Sequence, residues 1–244
     1  MSAHLRFGRL VTPKGQDSSE KPGLIYCGLI LNLSGDRVAA QARDTLTFKL
    51  IDVFDRTTTD EWPWFEESLS YANALLSHVL ILSGRWADNA RAFEVGLRSL
   101  RWLISVQKAP QGHFRPIGSA GFYVRNGPRA HFDQQPIEAY STISACLEAY
   151  RSTEDAIWHE EARLAFEWFL GRNDLGLSLY DSKTGGCRDG LHVDRVNQNQ
   201  GAESTLAFLM ALSEMELLEH DLKIFKKPTN HEADVPKAHR HAKA

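Results

Sequence analysis

Three apolar helical segments that each begin with a run of polar side chains constrain the fold of this chain more than any other feature. The runs are DEWPWFEES from residue 60, HFDQQPIEA from residue 131 and NQNQGAES from residue 197. After each run, apolar residues recur at three- and four-residue steps, which is the period of an amphipathic helix. The sequence therefore predicts helices with polar N-terminal turns and apolar later turns.

The helical segments are joined by connections that alternate between short and long. The two long ones, residues 108–131 and 174–198, are rich in Gly, Arg, Asp and His. Long loops of this kind inside a compact domain usually carry function. Strand signals are few, apart from a short hairpin expected at residues 122–124. We predict an all-α fold of six to seven main helices, arranged as hairpins with two long loops.

The ends of the chain differ in composition from its centre. We predict an irregular N-terminal segment at residues 1–34, a helical domain at residues 35–224 and a disordered polar tail at residues 225–244. The apolar run LIYCGLILNL, residues 24–33, is too short to span a bilayer, so no membrane contact is expected. The net charge of −3 does not give the positive electrostatic field that would attract nucleic acid.

The cysteines and the N-terminus predict a reducing, cytoplasmic environment. Cys27, Cys146 and Cys187 are widely spaced and odd in number, which fits neither a disulfide framework nor a zinc site. No signal peptide precedes the domain. No phosphate-binding glycine loop and no regular metal-ligand spacing is present, so we expect no cofactor and no metal.

Helix capping explains only part of the polar runs. One Asp or Asn at each helix start accepts a hydrogen bond from a free backbone N–H, and Asp60, Asp133 and either Asn197 or Asn199 are suited to this. Acidic residues in a first turn also complement the helix dipole. The remaining carboxylates and amides are not needed for capping, so they call for a second explanation.

The remaining polar side chains are expected to share helix faces. Glu138 follows Gln134 by four residues, and Asn73 follows Glu66 by seven. If these helices pack in parallel, their polar ends meet in one cavity. Amides and carboxylates bind sugar hydroxyls, and aromatic rings such as Trp62 pack on the apolar faces of a sugar. The pattern therefore predicts a carbohydrate ligand.

Two carboxylates facing one sugar are also what glycoside hydrolysis requires. A carboxylate at a helix N-terminus is favoured in its charged form, so it suits a base or nucleophile better than an acid. On this reasoning Glu138 or Asp133 is the candidate base, and Glu66 or Glu203 is the candidate partner carboxylate.

Two motifs in this chain resemble a known family. HFDQQPIEA, followed by GRNDLGLSLYDSKTGGCRDGLHVDRVNQNQGAESTLAFL, resembles a bacterial family of (α/α) toroid domains in the six-hairpin glycosidase-like superfamily. These domains occur alone or joined to glycosyltransferases. WPWFEESLSYANALL is similar to the family's first polar helix start, so the resemblance covers residues 62–215. A complete toroid has about twice as many helices as this sequence predicts, so a partial toroid is expected.

The resemblance implies that inner helices point their N-terminal ends at a central sugar-binding cavity. The positions implied around that cavity are Trp62, Glu66, Asn73, His131, Asp133, Gln134, Glu138, Asp189, His192, Gln200 and Glu203. In the family pattern an acidic residue precedes the Asn of YANA. This chain has Ala72 there, which removes one carboxylate from the expected acid–base pair.

Three alternatives to a glycoside-acting enzyme remain. The domain could bind sugar without catalysis, as an accessory to a glycosyltransferase. An epimerase-like toroid would use His131 or His192 as acid and base near neutral pH. A helical scaffold for protein binding is the plainest option, although it leaves the polar runs unexplained. Open helix faces at the ends of a partial toroid favour a homodimer.

Overall fold

The computed structural model describes residues 37–225, so the predicted N-terminal segment and tail lie outside the described residues. The described part is all-α, with six helices and one two-stranded sheet, as the sequence predicted. The helices are α1 Arg37–Thr57, α2 Ala74–Trp86, α3 Ala90–Val106, α4 Pro136–Thr153, α5 Ala156–Phe169 and α6 Ala202–Phe225. Within residues 37–225 no helix is long and apolar enough to cross a membrane.

The helices form an inner and an outer layer. Helices α2, α4 and α6 lie side by side with α4 in the middle, while α3 packs on α2 and α5 packs on α4. Helix α1 contacts both α2 and α3. Helix α4 is buried along nearly its whole length from Glu138 to Ala149, because it has neighbours on three sides. This arrangement of hairpins is a partial (α/α) toroid.

Short turns join α2 to α3 and α4 to α5. Helix α3 begins after Asn89, whose side-chain oxygen accepts a hydrogen bond from the Ala92 N–H at 3.0 Å. Helix α5 begins in the same way after Asp155, which accepts from Ile157 at 3.1 Å. These caps satisfy N–H groups that have no partner within the helix. Residues within each turn therefore determine where these hairpins turn.

The polar run at residue 60 does not begin a helix, contrary to the prediction. Helix α2 starts only at Ala74, and β1 (Ser68–Leu69) pairs antiparallel with β2 (Tyr123–Val124). The expected hairpin at residues 122–124 is present, since Tyr123 forms an antiparallel bridge with Arg129, and the same residues also pair with the distant strand β1. Trp64 and Phe65 are fully buried in an aromatic cluster, and that burial outweighs the local helical pattern.

Two glycines let α2 and α3 approach closely. A Cβ atom on Gly84 would lie 2.6 Å from the Cβ atom of Phe93, and one on Gly96 would lie 2.8 Å from Cγ1 of Ile81. Real carbon atoms do not come this close, so a larger side chain at either position forces the helices apart.

We expect Gly84→Ala to lower the free energy of unfolding by about 1–3 kcal/mol, because the added methyl group overpacks the contact between α2 and α3. Urea unfolding followed by circular dichroism measures this. Ser213→Ala, at an exposed position within α6, is the matched control and should change stability by less than about 0.5 kcal/mol. Equal stability of both variants would contradict the close packing.

Candidate functional site

The N-terminal ends of the three inner helices meet at one end of the molecule. The turn that precedes α2 contacts the first turns of both α4 and α6. The backbone N–H groups of Ala72 and Asn73 donate to the carboxylate of Glu138 on α4. The Tyr71 hydroxyl donates to Oε2 of Glu203 on α6 at 2.7 Å. The inner helices are thus parallel, and their polar starts come together.

The Glu138 carboxylate is held inside this junction. Ala72 has a positive φ of 48° and Asn73 is right-handed helical, so their consecutive N–H groups form a concave anion-binding turn. The Asn73 side-chain amide donates to Oε2 of Glu138 at 3.0 Å. Its own oxygen accepts from the Ser70 N–H at 2.8 Å. Both oxygens of the buried Glu138 therefore face protein donors, and Glu138 fixes the start of α2.

Asp133 and His192 form an accessible pair next to that junction. Oδ1 of Asp133 lies 2.5 Å from Nδ1 of His192, and both side chains are partly exposed. Asp133 adopts a positive φ of 55°, an uncommon conformation that Asp tolerates better than most residues. When Oδ1 of Asp133 accepts a hydrogen bond from Nδ1–H of His192, that bond fixes the tautomer of the ring. Asp133 therefore orients the His192 ring and does not cap α4.

His131 is exposed near the same pair, at the end of the first long loop. Partial desolvation and the positive charges of Arg115 and Arg129 lower the pKa of His131. Its ring is therefore largely neutral at pH 7. A neutral imidazole offers one donor and one acceptor, which suits a sugar hydroxyl.

Gln134, expected to bind sugar, is instead a buried structural residue. It lies in an extended segment before α4, so it does not share a helix face with Glu138. Its Nε2 donates to Oδ2 of Asp174 at 2.6 Å and to the His131 carbonyl at 2.7 Å. Its Oε1 accepts from Nε1 of Trp168 at 2.7 Å. The amide is fully used within the protein.

Asp174 connects the two long loops, and no pattern in the sequence predicted this role. Nε of Arg115 donates to it at 2.8 Å, and Nε2 of His113 lies 3.0 Å from its Oδ1. Burial raises the pKa of Asp174, but hydrogen bonds from Arg115, Gln134 and His113 lower it by more, so the pKa lies below its usual value. A charged Asp174 therefore holds the first loop to the second.

Asp189 caps α6 from the second loop. Its Oδ1 accepts from the Gly201 N–H at 2.6 Å, and its Oδ2 accepts from the Asn199 side-chain amide. Burial opposes these bonds, which nevertheless keep the pKa of Asp189 below its usual value. The predicted cap from Asn197 or Asn199 is thus replaced by a carboxylate twelve residues before Gly201. Asp60, the other predicted cap, is almost fully exposed and precedes no helix.

Gln200 stabilises the second loop. Its Oε1 accepts from the Thr184 hydroxyl at 2.7 Å, and its Nε2 donates to Oδ2 of Asp181 at 3.0 Å. Asp181 also pairs with Arg188 at 3.0 Å. Like the side-chain amide of Gln134, that of Gln200 is hydrogen-bonded to protein groups, although Gln200 remains partly exposed.

Trp62 and Glu66 belong to the segment before β1 and not to a helix. The Trp62 ring is buried, with its centroid 4.8 Å from that of Trp102 and 5.1 Å from that of Tyr123. Its Nε1 donates to the Glu66 carbonyl at 2.7 Å. Trp62 therefore packs in the core instead of offering an open face to a sugar. Glu66 precedes β1, so it does not share a helix face with Asn73.

Apart from Trp62 and Glu66, the predicted site residues divide into two groups. The accessible group consists of His131, the Asp133–His192 pair and the Tyr71–Glu203 pair. The supporting group holds the helix starts and loops in place, and its predicted members are Asn73, Gln134, Glu138, Asp189 and Gln200. Tyr71 was missed although it stands beside Ala72 in the quoted motif, because a Tyr within an apolar stretch is usually core.

The all-α arrangement of hairpins is similar to that of a solved glycoside hydrolase. A glycoside hydrolase family 76 mannosidase from Bacteroides thetaiotaomicron superposes with a TM-score of 0.57 and 12% sequence identity. The match covers 83% of this chain and 55% of that chain, so this chain spans about half the length of the mannosidase. No protein-family model and no curated protein matches the sequence.

Gln134→Leu should lower the free energy of unfolding by about 2–4 kcal/mol, because the Trp168 N–H and the Asp174 carboxylate lose a buried partner. Chemical unfolding measures the change. Gln198→Leu alters an exposed glutamine in the second loop and should cost less than about 0.5 kcal/mol. A Gln134 variant as stable as this control would contradict the role of the buried amide.

The depressed pKa of Asp174 predicts a loss of stability in acid. A carboxyl whose pKa is lower in the folded state stabilises the fold above its unfolded pKa, about 3.9, and loses that effect as the pH falls through the folded value. Unfolding free energies measured from pH 6 to pH 3 should therefore decline less steeply in Asp174→Asn than in the native chain. Asp194→Asn, at an exposed carboxylate, should follow the native slope. Parallel curves for all three proteins would contradict this assignment.

Proposed function

We propose that the helix starts of α2, α4 and α6 form a carbohydrate site that acts on glycosidic bonds. The observation that carries the proposal is the convergence of two accessible pairs, Asp133–His192 and Tyr71–Glu203, on one end of three parallel inner helices. Each pair contains one carboxylate, and the two residues of each pair are far apart in the sequence. The toroid fold shared with a glycoside hydrolase supports the same reading.

The two pairs suit different roles in hydrolysis. Glycoside hydrolysis needs an acid that protonates the leaving oxygen and a second group that activates water or attacks the sugar. His192, oriented by Asp133, is the proposed proton donor, since an imidazole exchanges protons near neutral pH. Glu203, held by the Tyr71 hydroxyl, is the proposed base or nucleophile. Glu138 then serves to position α2 beside α4.

A non-catalytic sugar-binding domain is the second candidate, and one observation favours it. Ala72 stands where the family resemblance expects an acidic residue, and its N–H is bonded to the buried Glu138. The Glu138 carboxylate, which lies nearest the start of α2, therefore holds the fold together. In this version the accessible groups only bind sugar hydroxyls, and the domain serves as an accessory to a glycosyltransferase.

Sugar binding and turnover separate the two candidates. We expect the purified chain to melt at a higher temperature with some members of a panel of mono- and oligosaccharides, including mannosides. We expect it also to hydrolyse the corresponding aryl glycosides. Glu203→Gln should keep the sugar-induced stabilisation and lower the hydrolysis rate by about 100-fold or more, because it keeps the shape and removes the charge.

Glu216→Gln, an exposed carboxylate further along α6, is the matched control and should hydrolyse at the native rate. Sugar-induced stabilisation without any hydrolysis by the native chain would support the binding domain instead. Hydrolysis unaffected by Glu203→Gln and by His192→Ala would contradict the assigned roles. The absence of both stabilisation and hydrolysis across the panel would contradict a carbohydrate site.

A further inference from the structure

Two arginines of the first long loop bring positive charge to the edge of the candidate site. Arg115 and Arg129 come from neighbouring segments of that loop, because the Arg129 guanidinium donates hydrogen bonds to the Arg115 carbonyl and to the Val106 carbonyl. His131 follows Arg129 by two residues and is exposed. The positive charges of both arginines act on the His131 ring. Two permanent cations therefore lie close to an exposed imidazole.

Asp174 balances only one of these two charges. Its carboxylate accepts hydrogen bonds from Nε of Arg115 at 2.8 Å and from Nε2 of Gln134 at 2.6 Å. Arg129 donates to backbone carbonyls instead, and its Nε is buried without a hydrogen-bond partner among the described residues. Within residues 37–225, Asp174 is the one carboxylate whose charge acts on both Arg129 and His131. One positive charge is therefore left without a counter-charge, although buried charges in proteins are normally paired.

Two unused hydrogen-bond donors accompany this charge. Arg115 uses Nε and Nη2 for Asp174, whereas its Nη1 makes no hydrogen bond to any described residue, and the side chain is 15% exposed. The exposed His131 ring also makes no hydrogen bond within residues 37–225. The His131 carbonyl accepts from Gln134, which donates to Asp174, so Arg115 and His131 stand at the two ends of one hydrogen-bonded chain. Carboxylate and phosphate oxygens accept from both kinds of donor.

We propose that the sugar bound at the helix starts carries an anionic substituent, a carboxylate or a phosphate, that binds to Arg115 and His131. This inference rests on the proposed carbohydrate site and names the substrate class of that site. A neutral hydroxyl uses the same donors but leaves the charge of Arg129 without a counter-charge, so an acidic sugar is favoured. Asp133 lies two residues beyond His131, which is at most about 7 Å of backbone, so one acidic sugar residue can reach both.

Matched sugars give a direct test on the native chain. Calorimetric titration compares the methyl glycosides of glucose and mannose with the corresponding uronic acids and 6-phosphates. At about 20 mM salt an acidic member should bind at least about tenfold more tightly than its neutral counterpart. At about 500 mM salt this ratio of affinities should fall at least about threefold, because salt screens exposed charges. The acidic member that binds most tightly identifies the substituent as a carboxylate or a phosphate.

A change of charge at His131 gives a second test, because replacing Arg115 would also release Asp174 and loosen the two long loops. His131→Glu places a negative charge beside the guanidinium groups and should lower the ratio of acidic to neutral affinity at least about tenfold. The ratio cancels any contact that both sugars lose, and circular dichroism checks the fold. Lys49→Gln, at an exposed position on α1, changes the net charge by the same amount and should leave the ratio unchanged.

The failure of this inference can be told apart from the failure of the carbohydrate site. Equal affinity for acidic and neutral sugars would overturn the anionic substituent and leave the carbohydrate site in place. An acidic preference that survives His131→Glu, or that falls equally in Lys49→Gln, would also overturn it. If no sugar of the panel binds, both the carbohydrate site and the anionic substituent are overturned.

Discussion

The buried carboxylate of Glu138 determines how the inner helices of this protein are placed. It accepts hydrogen bonds from the Ala72 and Asn73 N–H groups and from the Asn73 side chain, so the start of α2 is fixed to the first turn of α4. A buried carboxylate without such donors would strongly destabilise the fold. The same turn carries Tyr71 to Glu203 on α6, which brings the third helix start into the arrangement. The accessible groups depend on this junction for their positions.

The polar side chains at the junction of helix starts have two kinds of role. Gln134, Asp174 and Asp189 are satisfied by protein partners and hold loops and helix starts together. The Asp133–His192 pair is partly exposed and remains available to a ligand. A site built in this way can keep reactive groups in position while they stay in contact with solvent.

The features that follow from local periodicity could be predicted from the sequence. Helix α4, predicted after the polar run at residue 131, runs from Pro136 to Thr153, and the alternation of short and long connections predicted the hairpin arrangement. The start of α2 could not be predicted in this way. Trp64 and Phe65 are buried by contacts with distant residues, and that burial overrides the local helical pattern.

The residue types at the candidate site could be predicted from the sequence, but the roles of several individual residues could not. Two of the three polar runs, at residues 131 and 197, identified helix starts that come together, because parallel packing of equivalent hairpins requires it. They did not show which side-chain amides would be hydrogen-bonded to other protein groups, since the partners of Gln134 lie 34 and 40 residues away in the sequence. The cap of α6 was missed for the same reason, because Asp189 reaches it from the preceding loop.

The bond between Tyr71 and Glu203 joins residues that are 132 positions apart in the chain. Hairpins such as α2–α3 and α4–α5 can form from neighbouring residues soon after they leave the ribosome, whereas this bond must wait for α6. The site is therefore the last part of the described protein to assemble during synthesis. A chain without α6 would lack Glu203, so the synthesis of α6 determines when the candidate site can form.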